Sequence, residues 1–561
     1  MFAQSLASAT STADSSSQSG SAAGRGSLAR WSRACAIRAA FTAACLLQGA
    51  ALAQQAPVIA PPDGFFDLVD EQHREVAREF YGKYIEADGL PIVAHHDVAD
   101  EALIRSREIV VSMLAGRPDV LEAMAENRMY LIIIGRYQNY TDMPENRLLA
   151  NPEFLNERVR GTGGRPTSFG EENVLRLPLD RYDDESIAVH EFAHTIDSTL
   201  GGIQDNWPAV RDRAYRDAMA QGLHEGAYTR INAYEYFAEL VQAYFDCNRV
   251  NNWNHNHVAT REQLRAYDPA GYNLIRQAFK LSAENDWRYD ATVERPNVTA
   301  PPERWPDWAH AIEIDPYYTK FTYARELPVV GREAGDRAML AVNHTLRRMF
   351  AYRHDILKTF IDDDARVVVL GENENIDDLP EYGTWRRLDG FDALVRSHAY
   401  IPETSTFIVA EENVLANPRD PLVGDQHVVE VFARSIYTYL GRREEQEPYG
   451  SAGGIQQYQI GLTPIDRRFA ARVREVYDRA MEQDLWRGTA SLHGPEHYWT
   501  YGVLAFFDAT GQQATPADAR ARNPINTREA LREYDPALYE LVHETMNFEN
   551  RVDWRFEPVN H

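Results

Sequence analysis

In "VHEFAHTID", residues 189–197, two histidines and a glutamate fall within five positions. On a helix, at about 100° per residue, His190 and His194 lie one turn apart on one face, close enough for both imidazoles to bind one ion. Glu191, offset to the side, can reach a water on that ion. This is the H-E-x-x-H arrangement of zinc hydrolases: neutral imidazoles hold Zn²⁺, and the glutamate takes a proton from a water that the metal has acidified. The flanking sequence predicts the helix. Ile187, Val189, Phe192, Ala193 and Ile196 supply its apolar face, the acidic run Asp183-Asp184-Glu185 favours its start, and Gly201-Gly202 suits its end.

A catalytic zinc ion needs a third protein ligand and one open position. Metzincin spacing would require Gly at 197 and His at 200, where the chain has Asp197 and Leu200; thermolysin-type spacing would place Glu near 213, which is Arg213. The remaining candidates are Glu235 and Glu239 in "YTRINAYEYFAELVQAYFDC" (228–247), one turn apart on a helix whose apolar positions Phe237, Leu240, Val241, Tyr244 and Phe245 pack inward. Asp197, on the His194 face, is a candidate for orienting a ligand. "RGTGG" (160–164) reads as a place for close backbone approach or as a plain loop, and His255 and His257 as polar loop residues.

The elements that must position these residues occur twice. "YDPAGYNLI" (267–275) matches "YDPALYELV" (534–542), each preceded by Thr-Arg-Glu, and Asp286-Trp287-Arg288 matches Asp553-Trp554-Arg555. "EENVL" occurs at 171–175 and 411–415. The copies run from about 66 to 290 and from 312 to 556, with Pro296, Pro301, Pro302 and Pro306 marking the linker 291–311. Each shows a helical pattern (98–114, 336–352), an apolar strand (129–135, 366–371), a second strand near Glu-Glu-Asn-Val-Leu and further helices, which predicts a helix-rich α+β class. Counted from the shared motif, His190 falls on Glu430, Glu191 on Val431 and His194 on Arg434; anchoring on "AYFD" and "AFFD" puts His497 opposite Glu235 and Tyr501 opposite Glu239. The second copy is expected to keep the fold and to lack the metal site.

"HEFAHTID", followed some forty residues later by a tyrosine and, seven positions on, by "EYFAE", resembles the anthrax lethal factor and Pro-Pro endopeptidase group of gluzincins, chiefly over 129–290. The resemblance implies that Glu235 is the third zinc ligand and that Tyr228 assists the oxyanion; the two would share a face if the helix reached back that far. It also implies the zincin fold, in which an edge strand beside the active-site helix holds peptide in extended form; together with the duplication this predicts two tandem zincin-like domains, the second degenerate.

Composition sets the remaining bounds. A formal charge of −26 over 561 residues speaks against nucleic-acid and anionic-membrane partners. Residues 1–53 read as an export signal with a long n-region: Arg25, Arg30, Arg33 and Arg38, an apolar run at 39–47, then Ala51-Leu52-Ala53, with 54–65 as a linker. No later stretch has 18 consecutive apolar residues, so no membrane span is expected in the mature chain. Cleavage would leave only Cys247, read as structural. The sequence thus points to a secreted or periplasmic zinc metalloendopeptidase acting on a protein or peptide. A polypeptide-binding protein and a zinc hydrolase of a non-peptide substrate are the alternatives.

Overall fold

A computed structural model describes residues 57–182, 185–249, 254–289, 298–351, 353–382, 396–418, 420, 425–440, 467–510, 525–546 and 554–556. The export segment expected at 1–53 and the Asp183-Asp184 pair lie outside the described residues.

Each half opens on a hairpin. Tyr81–Ala87 (β1) turns through Asp88 and Gly89, both at positive φ, into Leu90–His95 (β2), an Asp-Gly turn whose twist matches that of the strands. β2 runs parallel to Leu131–Ile134 (β3), β3 runs parallel to Thr167–Gly170 (β5), and Gly161–Thr162 (β4) forms the edge, antiparallel to β5. The order β1-β2-β3-β5-β4 is repeated by Lys320–Ala324 (β6), Leu327–Gly331 (β7), Arg366–Leu370 (β8), Thr406–Ala410 (β10) and His398–Ile401 (β9). β3 is buried throughout, which is why it reads as an unbroken apolar run.

The helices that matter most are Asp100–Met113 (α1), Ile187–Ile203 (α2), Trp207–Ala220 (α3) and Ala233–Tyr244 (α4) in the first half, and Asp336–Met349 (α5), His427–Thr438 (α6) and Pro495–Phe506 (α7) in the second. The class is α+β, with helices predominating. α2 packs on α4 and α6 on α7, with α2 and α6 laid against the sheets.

Buried polar side chains hold both halves in the same way. Asn173 Oδ1 accepts the Ile187 amide at 2.8 Å, and its Nδ2 donates to Asp180; Asn413 does the same for His427 and Asp420. The Glu-Glu-Asn-Val motif therefore sets where α2 and α6 begin. Arg160, 2% exposed, donates to both oxygens of Glu172 at 2.7 Å and to the carbonyls of Gln138 and Gly135. Arg396 meets Glu412, Glu374 and Gly371 in the same pattern. Tyr236 donates to Asp268 and Tyr498 to Asp535, which aligns α4 with α7.

Pro57–His561 forms one compact unit, and the halves touch within it. Trp308 is buried with its indole N–H on Arg136 O, and the guanidiniums of Arg160 and Arg181 lie 4.8 and 5.5 Å from its ring centroid. Arg181 also pairs with Glu326 at 2.8 Å.

Removing one partner of a buried ion pair strands the other, at a cost of about 3–5 kcal/mol. Arg160→Ala and Arg396→Ala should each lower urea-unfolding stability by about that much; a loss under about 1 kcal/mol would show that these pairs do not hold the sheets.

Candidate metal centre

α2 begins after Ser186, whose Oγ accepts the Val189 amide, and α4 after Asn232, whose Oδ1 accepts the amides of Tyr234 and Glu235. These two caps fix the registers in which three side chains meet. His190 Nε2 lies 3.2 Å from His194 Nε2 and 3.2 Å from Glu235 Oε2, and His194 Nε2 lies 3.3 Å from the same oxygen. A tetrahedral ion with ligands at about 2.0–2.1 Å spaces its donor atoms about 3.3 Å apart, so the triangle has the size of three corners of a zinc site. Glu235 Oε2 is buried and has no hydrogen-bond partner among the described residues. Two imidazoles and one carboxylate are a donor set that suits Zn²⁺.

The surroundings favour a cation. Burial disfavours a charged His190, but contact with Glu235 and the charges of Glu191 and Glu239 outweigh it and lift the imidazole to about 10. Glu235 is held far below the usual carboxylate range: burial opposes its charge, and both histidines more than offset this. Glu191 moves the other way, raised by burial against the opposing pull of His190 and His194.

Gln242, fully buried on α4, orients His190. Its Nε2 donates to Ser186 O at 3.1 Å and Glu185 Oε2 at 3.3 Å, which leaves Oε1 to accept from His190 Nδ1 at 2.9 Å. His190 Nε2 is thereby left as the donor atom for a metal. Glu239 lies on the far side of His190, its Oε1 3.6 Å from Nδ1. Of the two candidate carboxylates, only Glu235 reaches both Nε2 atoms. Asp197 does not orient a ligand: it bonds Arg211 and, at 2.7 Å, the Trp207 indole, tying α3 to α2.

The glycines of 160–164 serve the strand–helix contact. A Cβ on Gly161 would stand 2.9 Å from Glu191 Cγ, and one on Gly163 would stand 2.4 Å from His194 Cβ. β4, the edge strand, can therefore lie directly along the metal-facing side of α2.

Tyr228 does not share a helix with Glu235. Tyr228–Arg230 is a separate 3₁₀ turn, because Asn232 in extended conformation caps a new helix at Ala233. The Tyr228 ring nevertheless comes beside His190, with centroids 6.3 Å apart. Shared hydrogen bonds identify its counterpart. Tyr215 donates to Arg230 O and Tyr477 to Leu492 O, so Tyr228 answers to Ala490. The register of α4 and α7 likewise pairs Glu235 with His497, Glu239 with Tyr501 and Gln242 with Leu504. At the site itself, Arg434 bridges Glu430 and Glu496, at 3.2 Å to each. Among the described residues no three-residue group able to hold a metal occurs in the second half.

No protein-family model matches the chain, and no curated protein matches it.

Gln242→Leu copies the residue at the equivalent position, Leu504, and so should fold. Zinc affinity should fall about 10–100-fold in a competition titration, with the melting temperature of the metal-free protein little changed. Unaltered affinity would remove Gln242 from the site.

Proposed function

We propose that the chain is an exported, zinc-dependent endopeptidase of the gluzincin type, resembling the lethal factor and Pro-Pro endopeptidase group, with two tandem zincin-like domains. The catalytic domain is 66–290, and 312–556 is its metal-free counterpart. The observation that carries this reading is the convergence of His190, His194 and Glu235 within 3.3 Å of one another, with Glu191 beside them. His190, His194 and Glu235 would hold the ion; when bound, zinc would acidify a water and polarise the scissile carbonyl.

The chain's own groups do the rest. Glu191, its proton affinity raised by burial, accepts the proton of the attacking water and passes it to the leaving amine nitrogen. Tyr228, beside His190, donates a hydrogen bond from its phenol to the carbonyl oxygen as charge builds there and keeps its proton. β4 pairs with β5 on one side, and its other edge offers backbone donors and acceptors to an extended peptide, which favours a polypeptide substrate over a small molecule.

In the second half the Arg434 guanidinium lies between two carboxylates at the place of the metal ligands, which supports a structural or polypeptide-binding role for that half.

The mature chain should bind one zinc ion and cleave a peptide library. Glu191→Gln should keep the zinc and lose about 10²–10⁴-fold in kcat. If Glu191→Gln cuts as fast as wild type with the same zinc content, the reading fails. Metal retention should also depend on pH. A proton and the ion compete for the same nitrogen of His190, whose metal-free imidazole is lifted to about 10, so zinc affinity should fall about tenfold per unit as pH drops below that value. Affinity that is flat between pH 6 and about 8 would contradict this competition.

A further inference from the structure

The loop after α4 carries two histidines with different fates. His257 is exposed and stands edge-on to Tyr267, whereas His255 is 5% exposed. His255 Nε2 lies 3.3 Å from Glu239 Oε2 and 3.8 Å from Glu185 Oε2. Both carboxylates stand behind the metal ligand: Glu239 faces His190 Nδ1, and Glu185 holds the Gln242 amide that orients it. On the other side of the ring, Nδ1 lies 2.8 Å from Asn254 Oδ1, and Asn254 O accepts the Tyr228 amide at 2.6 Å.

One imidazole therefore joins the carboxylates behind His190 to the backbone that carries Tyr228. A three-residue 3₁₀ turn has little stability of its own, so the position of Tyr228 depends on what the turn is tied to. In the second half Tyr501 stands at the place of Glu239 and Ala490 at that of Tyr228, while Asp425 stands at that of Glu185 and the framework around them is kept.

We propose that His255 is a positioning residue: by docking the 254–257 loop on Glu239 and Glu185, it seats Tyr228 beside His190. The catalytic consequence rests on the metallopeptidase reading; the positioning itself does not. The test uses the zinc-loaded mature chain and its variants. Hydrogen exchange at the Tyr228 amide should speed up about tenfold or more in His255→Ala, and remain as in wild type in His255→Gln, whose amide keeps a polar contact with Glu239, and in His257→Ala. Zinc content should not change. The kcat of His255→Ala should fall to about that of Tyr228→Phe, and the double variant should be no slower than either. Should His255→Ala not fold, His255→Leu fills the space without a donor and carries the same expectation. The inference is overturned if the Tyr228 amide stays as protected in His255→Ala as in wild type, or if the two kcat losses multiply. If the wild type cleaves no peptide, the proposed function falls and amide exchange alone decides the positioning.

Discussion

Four carboxylates, Glu185, Glu191, Glu235 and Glu239, are gathered where α2 crosses α4, in a region largely closed to water. At the effective dielectric of a protein interior such charges repel strongly, and the arrangement holds only if cations are interleaved with them. His255 and Arg249 answer Glu185 and Glu239 on one side. On the other side, His190 and His194 face Glu235 with nitrogens that can take either protons or an ion. The caps at Ser186 and Asn232, the Gln242 amide and the glycines of β4 all place groups around this balance.

The second half meets the same constraint with a different cation. Where the first half places His194, it places Arg434, whose guanidinium carries a permanent charge between Glu430 and Glu496. A covalently attached cation leaves no open position for water or substrate. The polar framework around it stays: Asn413, Arg396, Tyr498 and Asp535 repeat the bonds of Asn173, Arg160, Tyr236 and Asp268. Residues kept in both halves serve folding, and the site's own residues are the ones that differ.

The legible part of this structure is the part written in local spacing. His190, Glu191 and His194 declare themselves because one helical turn relates them, and the recurrence of Glu-Glu-Asn-Val-Leu brings out the repeat. The helices at 100–113 and 336–349 and the central apolar strands follow from periodicity. Other features depend on contacts that no local pattern encodes. β1 hides its alternation behind a bulge between Tyr81 and Lys83, and the Glu-Glu-Asn-Val motif, near which a strand is expected, is itself a helical turn that follows the strand. Gln242 looks like an ordinary helical glutamine until the fold sets it against His190. Comparing the copies would have singled it out, because Leu504 takes its place. His255 reads as a polar loop residue, since its partners are 16 and 70 positions away.

Trp308 gives the pairing of the halves a further meaning. Its indole lies by Arg160, the residue just before β4, and by Arg181, whose guanidinium reaches the second half at Glu326. Arg160 is 2% exposed with this aromatic face against it; stripped of it, the cation that holds Glu172 would be wetted. The repeat is therefore more than two beads on a string: the second half and its tether wall off a buried cation of the first, and loosening them would unsettle the approach to β4.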